Sequence, residues 1–496
     1  METKAETPVY LAVDLGAGSG RVIAGILEEG QLRLEEIHRF ANDGVFLGDT
    51  WYWNTPGLFA EIVAGLKKAG AQYGAAVRSV GVDTWGVDYG LVDARGDLLG
   101  LPVQYRDSRT DGVMEQAFAK MPAEALYNAT GNQFMFYNTV FQLLAEASRN
   151  PGRVAAAEGL LWMPDLISYW LSGVRANEST IASTGQLVDA RTGTWAWEVI
   201  DALGLPRKWF GTLTPPGTCL GALLPQVAEE TGLRAKVIAV GSHDTASAVA
   251  AVPSAAPNSV YLSSGTWSLL GVVTEDAVIN PESFALAFTN EGGVDDTIRL
   301  LKILCGLWLI QECKRTWDAE GAATDWDTLI AEAAAAPAFV SLVDPDDARF
   351  ATPGDMPARL LDFCRETGQP VPETRGAMTR MIFESLALKY RLVFDKLAKL
   401  VGHELGDFHI VGGGGKNALL NQFAADALNR KVVAGPVEAT AAGNILTQLI
   451  ADGAVSDWNA ARDMVRSSFD VSTFTPQTPD VWEACLPRFR ALCGEG

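Results

Sequence analysis

Cysteine, histidine and long apolar runs are all scarce in this sequence. Its 496 residues include only six cysteines and four histidines, and no two cysteines form a C-x-x-C pair. Zinc sites and disulfide frameworks need such clusters, so we expect neither, and we expect a cytoplasmic protein with reduced thiols. No apolar stretch has the roughly 18 residues that a membrane span needs. Asp14 interrupts the only apolar run near the N-terminus, so a signal peptide is not expected.

Basic residues are also in short supply. Lysine and arginine number 39 against 60 aspartates and glutamates, which gives a net charge of −21. A surface this acidic repels nucleic-acid phosphate and anionic lipid, so we expect neither nucleic acid nor a membrane as a partner. An anionic small molecule is still compatible with this charge, because backbone N–H groups can bind phosphate locally. The sequence carries no signal for the oligomeric state.

What is present is a regular alternation of strand and helix patterns. The segment from Val9 to Phe40 predicts three strands in a meander, with glycine at each reversal. A helical apolar period follows with Pro56 near its first turn, and "VRSVGVDTWGVDYG" is strand-like again. Strands that alternate with helices predict the α/β class, in which helices pack against a sheet.

The second half of the chain begins like the first. "NSVYLSSGTWSLLGVV" repeats the strand, glycine-containing turn and strand of "PVYLAVDLGAGSGRVIAGIL". A matching element halfway along a chain indicates an internal duplication. We therefore predict two domains, 1–252 and 253–496, joined at the Pro/Ser/Ala-rich segment 252–259.

Two of the turns are candidate phosphate loops. Asp14–Arg21 ("DLGAGSGR") and Ser263–Ser268 ("SSGTWS") each follow an apolar strand, and glycine lets backbone N–H groups approach a phosphate. The first does not open a helix as a G-x-G-x-x-G dinucleotide loop does, and it lacks the Walker A spacing. A tight hairpin turn without ligand remains the alternative for both loops.

Two further loops suit other ligands. Four consecutive glycines follow the strand of "HIVGGGGKNALL", and a helix is expected to begin around Asn417. So many glycines favour close approach of a bulky ligand over turn chemistry alone. In Gly81–Gly90, Asp83 and Asp88 flank Trp85 and Gly86. This pattern fits a polyol, with carboxylates for hydroxyls and an aromatic face for C–H groups, or a strand turn with a core tryptophan.

The stretch "GSHDTASAV" places Ser242, His243 and Asp244 in a row. A catalytic triad needs three side chains that converge in space, which consecutive residues do not provide. Too few histidines are present for a zinc site. Two interpretations of Asp244 remain open. It caps the following helix, or it accepts the proton of a hydroxyl that attacks a phosphate.

In their order and wording, these segments resemble the FGGY family of carbohydrate kinases. The segments that carry the resemblance are "AVDLGAGSGR", "GVDTWGVD", "YRDSRT", "VGSHDTASAV", "YLSSGTWSLLG", "TNEGG", "GLWLIQE", "HIVGGGGKN" and "AGPVEATAAGN". The match runs from about residue 9 to 475, and within the family it is closest to the kinases of L-rhamnulose.

The resemblance implies two ribonuclease-H-like domains of the actin, Hsp70 and hexokinase type, with a deep cleft for ATP, Mg²⁺ and sugar. It implies that Asp244 is the general base on the sugar's 1-hydroxyl and that the product is L-rhamnulose 1-phosphate. The implied ketose contacts are Asp83, Trp85, Gly86, His243, Asp244 and Thr245. The implied nucleotide contacts are Ala17, Gly18, Ser19, Gly20, Arg21, Thr266, Gln311 and Gly413, and Asp14 is implied to contact the metal through water.

One departure leaves the ketose open. Ile303 stands where the kinases of L-rhamnulose carry a sugar-contacting asparagine, so L-fuculose or a pentulose is the alternative substrate. A non-catalytic actin-like nucleotide-binding protein would share the fold but has no use for the polyol-type loop around Trp85. An NAD-dependent dehydrogenase is disfavoured by the missing G-x-G-x-x-G loop.

Overall fold

The computed structural model describes residues 7–254, 256 and 258–495. Its contacts divide the chain into two compact units. The first contains the described residues up to 254 together with Val273–Leu300 and Ala439–Phe469, and the second contains the remainder. Each unit contains a β-sheet with helices, so the predicted α/β class with two sheet-containing domains is confirmed. The boundary at residue 252 stays a prediction, and Ala255 and Pro257 of the proposed linker lie outside the described residues.

The first unit contains a mixed sheet of six strands within the described part of the chain. In spatial order these are Cys219–Ala222, Lys236–Ile238, Val77–Thr84, Val9–Leu15, Ser19–Glu28 and Gln31–Ala41. Val9–Leu15 is buried along its whole length because it lies between an antiparallel neighbour and a parallel one. The predicted three-strand meander is confirmed, and its second reversal uses Glu29 and Gly30 with positive φ angles.

Helices surround this sheet. Thr55–Tyr73 begins where the Asn54 side chain accepts a hydrogen bond from the Gly57 N–H at 3.2 Å, with Pro56 in the first turn as predicted. The other helices of the unit are Val113–Lys120, Ala123–Thr130, Thr139–Arg149, Pro151–Ala156, Met163–Ser172, Ser179–Ala182, Trp197–Leu203, Pro225–Thr231, Asp244–Ala250, Pro281–Ala285, Ala439–Ala451 and Trp458–Ser468. Its shorter strands are Gly44–Leu47, Thr50–Trp53, Tyr89–Val92, Gly159–Trp162, Asn177–Glu178, Val188–Asp189, Thr194–Trp195, Leu213–Thr214 and Thr289–Gly292.

The second unit repeats the strand arrangement that opens the first. Val260–Ser264 pairs antiparallel with Trp267–Thr274 and parallel with Phe408–Val411, just as Val9–Leu15 pairs with its two neighbours. Val432–Ala434 and Ser472–Phe474 extend the sheet. The strand Ile298–Cys305 begins in the first unit and ends in the second. The predicted strand–turn–strand elements at both starts are confirmed.

The helices of the second unit are longer on average. They are Trp308–Ala319, Trp326–Ala335, Met356–Glu366, Arg375–Val401, Ala418–Leu428 and Pro479–Leu492. Arg375–Val401 is the longest of these helices, with 27 residues, and most of its side chains between Gly376 and Leu397 are buried. Ala418–Leu428 begins after Asn417, whose side chain accepts a hydrogen bond from the Leu420 N–H at 3.1 Å. The segment between the strand and this helix is therefore the glycine run, as predicted.

No helix among the described residues is both long and apolar enough to cross a membrane. The six cysteines are free thiols, and Cys305, Cys313 and Cys364 are buried.

Candidate active site

Three carboxylates of the first unit stand at the carboxyl ends of neighbouring parallel strands. Asp14 and Asp83 are register partners on Val9–Leu15 and Val77–Thr84. Thr84 forms an isolated bridge with His243, the residue before Asp244. We call Asp14, Asp83 and Asp244 the carboxylate cluster. This edge of a parallel sheet is where α/β proteins bind ligands, and the structure brings three separately predicted loops to it.

The first loop is a hairpin turn held by its own backbone. The Gly16 N–H donates to the Ser19 carbonyl at 2.9 Å, and across the hairpin the Arg21 guanidinium bonds the Asp14 carboxylate at 2.5 Å. Gly20 is required by packing, because a Cβ there would collide with the Phe40 ring. At Gly18 a Cβ would meet no atom within 4 Å. That glycine therefore leaves open space in front of the turn, whereas Gly20 serves the fold.

Asp83 is the most deeply buried member of the carboxylate cluster. Its Oδ2 accepts a hydrogen bond from Asn444 at 2.6 Å, and its Oδ1 has no partner among the described residues. Burial, together with the negative charge of Asp14, raises the pKa of Asp83 well above its ordinary value. The carboxyl group of Asp83 therefore takes up a proton more readily than that of an exposed aspartate.

The loop after Asp83 is strained and heavily bonded. Val87, a β-branched residue, has φ of 68°, a conformation that costs such a residue on the order of 1–3 kcal/mol. The Thr184 hydroxyl accepts from the Val87 N–H at 3.1 Å, and the Thr139 hydroxyl donates to the Val87 carbonyl at 2.6 Å. Next to it, a Cβ on Gly86 would touch Thr184 at 3.4 Å. Strain maintained in this way is typical of functional loops.

Asp88 fixes the aromatic side of this loop. Its Oδ2 accepts from the Trp53 indole at 2.6 Å and from the Trp85 indole at 3.0 Å. Gln142 donates to its Oδ1 at 3.0 Å. Burial raises the pKa of Asp88 to about 6, against the lowering effect of these hydrogen bonds. Trp53 and Trp85 pack with ring centroids 4.2 Å apart, so the position of Trp85 is fixed by one buried carboxyl group.

The structure excludes one of the two interpretations of Asp244, that of a helix cap. The helix Asp244–Ala250 starts at Asp244 itself, and His243 is the N-cap residue. The interpretation of Asp244 as the capping residue is therefore wrong, because its carboxylate lies within the first turn. The Thr245 hydroxyl donates to Oδ1 of Asp244 at 3.1 Å. The side chain of Asp244 is 32% exposed while that of His243 is 8% exposed, so only the carboxylate is open to a ligand.

Two charged residues beside His243 were missed by the sequence reasoning. Glu291 Oε2 lies 3.4 Å from His243 Nδ1 and 3.1 Å from Arg299 Nη2. Both side chains are buried, with 3% and 0% exposure. Glu291 belongs to the quoted segment "TNEGG", to which no role was given. The available sequence signal was Arg299, a basic residue inside the apolar strand "IRLLKILC". Because buried charges are paired, it predicts an acidic partner nearby.

In the second unit, the structure brings together the residues predicted to bind nucleotide. The Thr266 hydroxyl donates to Oε1 of Gln311 at 3.0 Å. Gly306 permits this contact between the two segments, because a Cβ there would lie 2.7 Å from the Gly265 carbonyl oxygen. The Trp308 N–H donates to the Thr266 carbonyl at 3.2 Å. The turn "SSGTWS" and the segment "GLWLIQE" thus form one structure.

The glycine run packs against the turn Ser263–Ser268. Gly412 has φ of 84°, and a Cβ there would meet the Ser264 carbonyl oxygen at 3.1 Å. A Cβ on Gly414 would collide with the Ser264 side chain. At Gly413, by contrast, no atom lies within 4 Å. Gly412 and Gly414 are therefore required by packing, and Gly413 faces open space where a ligand can approach.

The carboxylate cluster suits a Mg²⁺ ion whose other ligands are water and substrate phosphates. No cluster of three His, Cys, Asp or Glu side chains among the described residues could hold a metal ion. Asp14 is paired with Arg21, while Asp83 has one buried oxygen without a partner. Mg²⁺ commonly keeps several waters and binds one or two carboxylates plus substrate phosphates. The carboxylate cluster fits that mode and does not form a complete protein cage.

Family models match almost the whole chain. Residues 9–251 match the N-terminal domain of the FGGY family of carbohydrate kinases, and residues 260–451 match the C-terminal domain of the same family.

Full-length relatives and a solved structure agree with these matches. The chain is 46% identical over 482 residues to a rhamnulokinase of Bacteroides thetaiotaomicron, covering 97% of this chain and 98% of that protein. It is 44% identical over 484 residues to a rhamnulokinase of Pectobacterium atrosepticum, covering 97% and 96%. The crystal structure of a gluconate kinase from Lactobacillus acidophilus superposes with a TM-score of 0.80 at 14% identity, covering 98% and 97%. That last similarity is one of fold.

Proposed function

The chain belongs to the FGGY family of carbohydrate kinases, and we propose that it transfers the γ-phosphoryl group of ATP to the 1-hydroxyl of L-rhamnulose. The product is L-rhamnulose 1-phosphate, and the reaction belongs to L-rhamnose degradation. The observation that carries the proposal is the 46% and 44% identity to two rhamnulokinases over nearly the whole length of each protein.

Asp244 is proposed as the general base. The proton of the sugar hydroxyl passes to the carboxylate of Asp244 while the hydroxyl oxygen forms a bond to the γ-phosphorus. The bond between the γ-phosphorus and the oxygen that bridges to the β-phosphate breaks, and ADP leaves with that oxygen. The exposure of the Asp244 carboxylate beside buried His243 and Thr245 supports this assignment, because the base must reach a ligand while its neighbours hold it.

The polyol-type loop and the segment around Asp244 are proposed to bind the ketose. Gly86 and Trp85 would face the carbon skeleton, with Trp85 held by Asp88. His243, Thr245 and Asp83 would complete the ketose contacts. Asp83 is fully buried, so its contribution would come through the unpartnered Oδ1.

ATP and Mg²⁺ are the proposed co-reactant and cofactor. Ala17, Gly18, Ser19, Gly20 and Arg21 would contact the phosphates, and Thr266, Gln311 and Gly413 would bind the nucleotide. Asp14 would hold Mg²⁺ through water. When bound, the ion neutralises phosphate charge. We place this reaction in the cytoplasm, where ATP is supplied, with no nucleic acid or membrane as partner.

A panel of ketoses tests the proposal. ADP release from Mg-ATP is measured with L-rhamnulose, L-fuculose, L-ribulose and D-xylulose at equal concentrations. We expect the highest kcat/KM with L-rhamnulose. Better turnover of another ketose would contradict L-rhamnulose as the substrate. Another ketose is the main alternative because Ile303 stands where the kinases of L-rhamnulose carry an asparagine. Nucleotide binding without turnover of any ketose would favour a non-catalytic actin-like protein and contradict the kinase proposal.

A further inference from the structure

A row of four charged or titratable side chains extends from the Asp244 carboxylate into the interior of the first unit. Asp244 Oδ1 lies 3.4 Å from His243 Nε2. On the other side of the ring, His243 Nδ1 lies 3.1 Å from Arg299 Nη2 and 3.4 Å from Glu291 Oε2. Arg299 is fully buried and Glu291 is 3% exposed, so the row runs from a ligand-accessible carboxylate to a buried ion pair.

Two buried groups meet the same nitrogen of the His243 ring. Arginine has only donors, so Arg299 Nη2, which lies 3.1 Å from Nδ1, calls for an accepting nitrogen. The Glu291 carboxylate has only acceptors when ionised, so its Oε2, which lies 3.4 Å from Nδ1, calls for a donating one. Both contacts hold the ring from one side, and Nε2 on the other side lies 3.4 Å from Oδ1 of Asp244.

This arrangement makes the two oxygens of Asp244 unequal. Oδ1 accepts from the Thr245 hydroxyl at 3.1 Å and faces His243 Nε2. No hydrogen bond between described residues uses Oδ2. Oδ2 is therefore the oxygen left to take the proton of a bound hydroxyl, and the contacts to Oδ1 prevent the carboxylate from rotating away.

The buried pair is difficult to explain by stability alone. Desolvation of two charges costs several kcal/mol, which their attraction often only balances. Arg299 also has one nitrogen, Nη1, without a partner among the described residues, while its Nε donates to the Gly292 carbonyl at 2.9 Å. Burial raises the pKa of Glu291, but the Arg299 charge and the His243 contact outweigh it and hold that pKa below its ordinary value. Glu291 is thus the carboxylate that compensates the Arg299 charge.

We propose that Glu291 and Arg299 are positioning residues of the phosphoryl transfer, which hold the His243 ring against Oδ1 of Asp244 and so leave Oδ2 to act as the base. This inference rests on the proposed function, because it assigns how the base of that reaction is oriented. Glu291 acts by pairing with Arg299, and Arg299 acts through Nδ1 of His243. Neither residue needs to touch the sugar.

A double-mutant cycle tests the proposal. Glu291→Gln and His243→Asn are made singly and together, and kcat and KM are measured with Mg-ATP and the preferred ketose. We expect Glu291→Gln alone to lower kcat at least about tenfold with little change in the KM for ATP, and to change kcat less than about threefold in the His243→Asn background. Equal losses in both backgrounds, or no loss in the wild-type background, overturn the proposal. Glu384→Gln is the matched control, because Glu384 is another buried glutamate paired with an arginine, Arg380.

A second readout does not need activity. The chain has only four histidines, so the ¹⁵N imidazole signals of labelled protein can be assigned by substitution. We expect the ring signals of His243 to be altered by Glu291→Gln and left unchanged by Glu384→Gln. A His243 signal that Glu291→Gln leaves unchanged overturns the positioning role. If no ketose is phosphorylated while the expected signals are found, the proposed function fails and the geometry of His243 stands.

Discussion

The hydroxyl of Thr266 donates a hydrogen bond to Oε1 of Gln311 at 3.0 Å, across 45 residues of sequence. Each residue was expected from a different segment to contact ATP. Their bond shows that the turn "SSGTWS" and the helix Trp308–Ala319 form one structure, against which the glycine run also packs. Residues of this structure are therefore suitable for separating effects on nucleotide binding from effects on folding.

Gly413→Ala should raise the KM for ATP several-fold while leaving the protein at least as stable as the wild type. The added methyl meets no protein atom within 4 Å, so it would obstruct only a ligand, and a tolerated glycine-to-alanine change stabilises by about 0.4–1 kcal/mol. Steady-state kinetics and thermal unfolding check this. Gly414→Ala is the contrast: its methyl collides with Ser264 and should destabilise by about 1–3 kcal/mol. Unchanged ATP kinetics in Gly413→Ala would remove this glycine from the nucleotide site.

Asp88→Asn should raise the KM for the ketose about tenfold and leave the KM for ATP nearly unchanged. The Asp88 carboxylate accepts from Trp53, Trp85 and Gln142, and an amide would present a donor to one of these donors. An unsatisfied buried group costs about 1–3 kcal/mol, which would displace Trp85. Kinetics with each substrate varied in turn make the measurement. A parallel rise in both KM values would indicate general distortion instead.

Much of this site follows from local sequence, and the remainder depends on tertiary contacts. Asp14, Asp83 and Asp244 were predictable because each follows an apolar strand, and strand ends are determined by local patterns. Glu291 was not predictable as a neighbour of His243, because that contact depends on the segment Val273–Leu300 packing into the first unit.

Asn444 and Gly20 illustrate the same limit. Asn444 reaches Asp83 across 361 residues, a separation at which no periodicity gives a signal. Gly20 was assigned to phosphate binding from the glycine pattern, yet the structure also requires it for packing against Phe40. A glycine pattern alone does not distinguish room for a ligand from room for a neighbouring side chain.

Asp83→Asn should make the protein more stable at neutral and alkaline pH. Burial and Asp14 raise the folded-state pKa of Asp83 above its ordinary value of 3.8. Its contribution to stability is therefore fully present below that value and is lost as pH rises through the folded-state pKa. An asparagine retains the neutral shape without this loss. As pH rises above 3.8, the melting temperature of the wild type should fall more than that of the variant, whereas equal slopes of melting temperature against pH would contradict the raised pKa.

His409 should make the second unit acid-sensitive. It is 4% exposed, both ring nitrogens lack partners among the described residues, and burial lowers its pKa from 6.5 to about 4. The unfolded chain therefore binds a proton that the folded chain rejects, and stability falls as pH drops from 6.5 toward 4. The loss is at most roughly 3 kcal/mol, from about 1.4 kcal/mol per pKa unit.

Denaturant unfolding of two variants checks this expectation. His409→Leu should remove that part of the pH dependence, and His403→Leu, at an exposed histidine, should not. If His409→Leu shows the same acid sensitivity as the wild type, the buried ring is not its cause.

The most direct test of the central claim is product formation by Asp244→Asn with Mg-ATP and L-rhamnulose. Loss of a general base typically costs about 10²–10⁴-fold in rate, and the substitution keeps the shape of the side chain. The account predicts a fall in kcat of that size, with L-rhamnulose and ATP still bound in calorimetric titration and the wild type releasing L-rhamnulose 1-phosphate. A variant that keeps kcat within about tenfold of the wild type would contradict the assignment of Asp244 as the base.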